Sequence, residues 1–113
     1  MDVRSLAGAE PFTTRDGSTI RELHHTAAQS LAEATLEAGA ETERHYHGRS
    51  EEIYFVLEGS GTMELDGERR ELGPGDAVLI PAGAWHQIQA GGTPLRFLCS
   101  CAPAYAHEDT FFE

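Results

Sequence analysis

HYHGRSEEIYFVLEG, residues 45–59, sets two histidines and two glutamates directly ahead of an apolar run. A strand repeats every second residue, so His45 and His47 fall on one pleated face. Adjacent imidazoles placed this way can share a small cation. The run from Glu52 to Leu57 is rich in β-formers and apolar on both faces, which predicts a strand covered on both sides. Either the four polar residues sit by chance on a solvated loop, or a metal is held at the mouth of a barrel.

The rest of the chain reads as strands. Residues 18–24 form a candidate early strand, and 41–47 alternate up to His47. Residues 29–39, QSLAEATLEAG, carry helix-favouring alanine and glutamate, yet they also form two alternating faces and are read as a strand ending at Gly39. Asp66-Gly67 divides 61–72 into a hairpin. GPGD (73–76) and PAGA (81–84) are turns flanking a short buried strand, 77–80, and strands follow at 86–90 and 95–101. Short strands punctuated by Gly and Pro predict an all-β domain, a small barrel or sandwich with few or no helices. One domain is expected at 113 residues: an N-terminal arm (1–17), a barrel (18–101) and a C-terminal tail (102–113). The tail holds Tyr105, Phe111 and Phe112, and three aromatics there predict docking on the barrel or on a partner.

Composition excludes several functions. The net charge is -11 and the eight basic residues are all arginines. Nucleic acid and anionic membrane surfaces are therefore not expected partners. With no lysine there is no Schiff-base or P-loop chemistry. No apolar run approaches a membrane span and the first residues do not resemble a signal peptide, so a cytoplasmic location is expected. A disulfide between Cys99 and Cys101 would be strained; the two thiols read as neighbours on one strand face, with a metal-binding pair as the alternative. No GxSxG elbow is present. Glu51, Glu58 and Glu64 read as solvated charges.

Of six histidines, His24, His25 and His107 read as ordinary polar residues. His86 follows the rigid turn PAGAW and opens a strand. Imidazole nitrogen with carboxylate oxygen suits a borderline divalent ion.

Two gapped motifs resemble those of the cupins. The first runs Gly39, five residues, His45-x-His47, four residues, Glu52, six residues, Gly59; the second runs Gly75, five residues, Pro81-x-Gly83, two residues, His86. Fifteen residues separate them, as in small single-domain microbial cupins. The family often has asparagine four positions beyond the last histidine, where this chain has Ala90. The resemblance implies a jelly-roll-like barrel, a double-stranded β-helix. It also implies one divalent metal (iron, manganese, nickel or cobalt, with zinc possible) on His45, His47, Glu52 and His86. It selects Glu52 over Glu51, because only Glu52 stands at the motif spacing before Gly59. Tyr54 and Val56 would then share the inward face with Glu52 and line the pocket, and Tyr54 is the candidate proton donor. Trp85 would cap the pocket or a subunit contact. The expected function is metal-dependent chemistry on a small oxygenated molecule, of dioxygenase, isomerase or decarboxylase type. The alternative is a non-catalytic binding or sensor module. Small cupins commonly pair, so a homodimer is expected. They also carry a similar tail, Pro-x-Tyr followed by His-Glu-Asp-Thr.

Overall fold

The computed structural model describes residues Met1–Glu113. The strands are β1 (Phe12–Thr13), β2 (Thr19–His25), β3 (Ser30–Leu36), β4 (His45–His47), β5 (Glu51–Glu58) and β6 (Gly61–Leu65), then β7 (Glu68–Leu72), β8 (Ala77–Ile80), β9 (His86–Ala90), β10 (Leu95–Ala102) and β11 (Thr110–Phe112). Two single-turn 3-10 segments, Leu6–Gly8 and His107–Asp109, are the only helical pieces. One antiparallel sheet has the order β1-β2-β3-β10-β5-β8 and the other β11-β4-β9-β6-β7. The two pack face to face as a jelly-roll barrel.

The ambiguous segment 29–39 is strand over Ser30–Leu36, held between β2 and β10. Pairing on both sides outweighs the helix propensity of its alanines and glutamates. At the β6–β7 hairpin, Asp66 and Gly67 have φ of 47° and 91°, the left-handed pair that a two-residue turn requires. Gly59 is fixed by space as well as by its φ of 80°: a Cβ there would lie 2.3 Å from the Pro94 carbonyl oxygen.

The inward positions of three strands change character along their length. On β5 they run Glu52, Tyr54, Val56; on β10, from the other end, Cys101, Cys99, Phe97, Leu95; on β3, Ser30, Ala32, Ala34, Leu36. The apolar ends, with Met63, Leu72, Ile80 and Ile88 from the remaining strands, form the hydrophobic core. Phe97 and Ile88 are fully buried, each contributing about 1.5–3 kcal/mol by leaving water. The polar ends meet in a cavity. Val56 belongs to the core and does not line that cavity.

Two expectations fail at one edge. Residues 52–57 are not covered on both faces, and 77–80 is not a buried strand. Ile53, Phe55 and Leu79 are 42%, 38% and 54% exposed. The cause is that β8 is the sheet edge and no layer lies over the outer face of β5 and β8. The ends of the chain are built into the sheets. β1 pairs with β2, and β11 pairs with β4.

Candidate metal centre

β4 and β9 pair antiparallel with His45 directly opposite His86. Alternation along β4 puts His47 on the same inward face. The ligating nitrogens of His45, His47 and His86 lie within 4.8 Å of one another, and all three side chains are buried. Glu52 enters from the opposite sheet. Its Oε1 is 3.2 Å from His47 Nε2 and 3.5 Å from His86 Nε2. Glu51, the neighbouring candidate, is exposed on the other side of β5.

Each imidazole is oriented by a partner on Nδ1. His45 Nδ1 faces the Glu43 carbonyl at 2.8 Å and His86 Nδ1 the Ala84 carbonyl at 2.9 Å. His47 Nδ1 meets Thr110 Oγ1, on the C-terminal strand, at 3.0 Å. The carbonyls accept only from N–H, so His45 and His86 carry the Nδ1 proton and turn an Nε2 lone pair inward. This second layer of contacts is what metal-binding imidazoles require. Two buried atoms, Glu52 Oε1 and His86 Nε2, have no hydrogen-bond partner. Orphaned acceptors at the focus of three imidazoles and a carboxylate fit a divalent cation.

The electrostatics agree. Burial, reinforced by the nearby His86, lowers the His45 pKa to about 4, so this imidazole is neutral at pH 7. Burial pushes the Glu52 carboxyl up, but His47 and His86 in their protonated forms would donate to it and pull it below the usual carboxylate range; with neutral imidazoles a cation would take over that role. The cluster thus presents an anionic carboxylate beside a neutral nitrogen donor.

Other readings of the sequence find their places. Tyr54 is buried beside the cluster, its ring centroid 5.9 Å from that of His86. Burial first, then the Glu52 charge, raises its phenol pKa well above the ordinary value. His24, His25 and His107 are outside the cluster, and His25 pairs with Glu22 at 3.0 Å. Trp85 does not line the cavity; it packs edge-on against Tyr46, with Arg44 over its ring. Glu64 is not a solvated charge. It is buried, is bound by the Arg44 guanidinium and accepts the Gly67 N–H, because the hairpin folds it back beneath Arg44.

Several site residues escaped the sequence reading. Cys101 lies far from both motifs in sequence, yet its thiol donates to Glu52 Oε2 at 3.2 Å. Burial and then the Glu52 charge raise the pKa of that thiol, keeping it protonated and inert. Cys99 lines the same cavity, and both thiols are free. The tail supplies Thr110, and it packs Phe112 at a tilt against His45 and Tyr105 edge-on against His47. Asp109 accepts the backbone N–H groups of Arg49 and Ser50 in the loop between His47 and Glu52. The only advance signal was the aromatic content of the tail and its HEDT run.

A family model described as "Cupin domain" matches residues 32–101. The chain belongs to the cupin family. Within it, this cupin is 48% identical over 107 residues to the uncharacterized protein MJ1618 of Methanocaldococcus jannaschii, covering 89% of this chain and 86% of that one. It is 34% identical over 76 residues to the L-ectoine synthase of Bordetella avium, covering 66% of this chain and 57% of that enzyme. Among solved structures, KdgF from Halomonas sp. superposes with a TM-score of 0.86 at 23% identity, over 96% of this cupin and 97% of that chain. That likeness shows the fold alone. No helix of this cupin is long and apolar enough to cross a membrane.

Proposed function

We propose that this cupin is a metal-dependent enzyme acting on a small oxygenated organic molecule, with one divalent transition metal held by His45, His47, Glu52 and His86. The observation that carries the reading is the convergence of three oriented imidazoles on the orphaned Glu52 oxygen. Three neutral imidazoles and one carboxylate around a divalent ion give a centre of charge about +1. Four protein ligands suit iron, manganese, nickel or cobalt, which favour higher coordination and keep open positions, better than zinc in a closed tetrahedral site. When bound, such a metal would polarise a substrate oxygen as a Lewis acid or support redox chemistry. Dioxygenase, isomerase and decarboxylase reactions fit this donor set.

The chain's own groups would do the rest. Glu52 lowers the charge of the centre by one unit, and Cys101 holds its second oxygen. Tyr54, which burial keeps protonated, would offer a hydrogen bond to a molecule in the cavity. The cavity, about 70 Å³ in volume, has room for a few waters or one small organic molecule. A second copy of the chain is the proposed partner, seated on the uncovered face that carries Ile53, Phe55 and Leu79.

Metal content per chain, by mass spectrometry of native protein, tests the reading. About one transition metal per chain is expected. Glu52→Gln replaces an anionic ligand with a weak amide and should lose metal, while Glu51→Gln should retain it. Loss in Glu51→Gln with retention in Glu52→Gln would refute the site. A full metal complement with tight ligand binding but no turnover across candidate substrates would make this cupin a binding module.

A further inference from the structure

The two oxygens of Glu52 have different surroundings. Oε1 faces the imidazoles, 3.2 Å from His47 Nε2 and 3.5 Å from His86 Nε2, and no hydrogen bond satisfies it. Oε2 accepts from the Cys101 thiol at 3.2 Å. A carboxylate has no hydrogen to give, so the sulfur is the donor. Both residues are buried, and little water competes for the contact. The S–H group is a weak donor, but here it meets an anionic oxygen, and such charge-assisted bonds are the stronger ones.

Strand register makes this contact. β10 lies between β3 and β5, with Cys101 directly opposite Glu52 on one side and Ser30 on the other. The Ser30 hydroxyl is in turn held by the Tyr105 N–H at 2.9 Å. Cys101 is thus fixed within the ladder at the level of the carboxylate, and its thiol meets only the oxygen that points away from the histidines. A carboxylate can grip a divalent ion through one oxygen or through both. To use both, Glu52 would have to turn Oε2 away from the thiol and leave a buried S–H without its acceptor.

We propose that Cys101 is a positioning residue: by holding Oε2, its thiol restricts Glu52 to ligation through Oε1 alone and so keeps a coordination position free for an incoming molecule. This rests on the metal-centre reading above, and it adds what sets the number of open positions. Three imidazoles and one carboxylate oxygen leave about two positions on a six-coordinate ion, whereas a Glu52 that ligates through both oxygens leaves about one.

Azide binding to cobalt(II)-loaded protein, followed by visible absorption, reads the free position. Chelator competition on the same samples reads metal affinity. Cys101→Ala releases Oε2. Azide affinity should then fall by about tenfold, equivalent to about 1.4 kcal/mol. Cobalt affinity should hold or rise, because the second oxygen joins the first. Cys101→Ser restores a donor and should recover azide binding. A residue that only orients a ligand behaves otherwise, since its loss lowers metal affinity by about 10–100-fold. A fall of that size in Cys101→Ala, or unchanged azide binding, would overturn the proposal and leave the metal centre standing. Nuclear relaxation of water oxygen in manganese(II)-loaded wild type counts the bound waters, and it decides alone if Cys101→Ala does not fold. About two waters are expected, and about one would overturn the proposal. Failure of wild-type protein to take up either metal would instead overturn the metal-centre reading, and this proposal with it.

Discussion

Thr110→Val tests how the C-terminal strand supports the site. The Thr110 hydroxyl has one hydrogen, and it donates that hydrogen to the Ala106 carbonyl at 2.9 Å. Its contact with His47 Nδ1 at 3.0 Å must then be one in which the hydroxyl accepts. His47 is thereby fixed with its proton on Nδ1 and its Nε2 lone pair facing His45, His86 and Glu52. Valine keeps the shape and removes both bonds. A buried imidazole N–H left unpaired costs about 1–3 kcal/mol. Loss of a partner behind a metal-binding histidine lowers affinity by about 10–100-fold. The two ranges agree, because tenfold is about 1.4 kcal/mol. Competition against a chromogenic chelator, with cobalt(II) as the probe, should show metal affinity falling within that range. Thr110→Ser should restore most of it. Denaturant unfolding of metal-free protein separates a loss of stability from a loss of ligand orientation. Unchanged metal affinity in Thr110→Val, with the fold intact, would refute the tautomer argument.

Burial pushes the Asp109 carboxyl up, but the Arg49 and Ser50 N–H groups and the Arg49 charge outweigh it and hold the pKa below the usual range. A depressed folded pKa gives stability that is complete above the unfolded value of about 3.9 and is lost as pH falls through the lower folded value. Acid titration of Asp109→Asn, followed by circular dichroism, should therefore show lower stability at pH 7 and a shallower decline below about pH 4 than the parent. The uncovered face of β5 and β8 should hold two chains together, so light scattering at micromolar concentration is expected to give about twice 12.3 kDa. Leu79→Glu, on the exposed edge strand, should shift it to the monomer mass, and a wild-type monomer would end the idea.

Much of the site was legible because its signal is local. Strand period two places His45 and His47 on one face whatever the rest of the chain does. Glycines that must take positive φ, such as Gly59, mark the turns, and Asp66-Gly67 marks its hairpin. The motif spacing then separates Glu52 from Glu51, whose side chains point to opposite faces of β5. These features belong to stretches of a few residues, and backbone sterics alone fix them. The contacts that complete the cavity join residues about 50 or more positions apart. Cys101 meets Glu52 because β10 pairs with β5 at that register, and Thr110 meets His47 because the tail adds a strand beside β4. Asp16 reaches the cavity because the N-terminal turn folds over it. Nothing in the local pattern encodes which strand lies next to which; that order is set by burial of the whole apolar set. The same limit explains the outer face of β5. Sequence alternation shows that Ile53 and Phe55 share a side, but only the sheet order reveals that β8 is an edge and that no layer of this chain covers them.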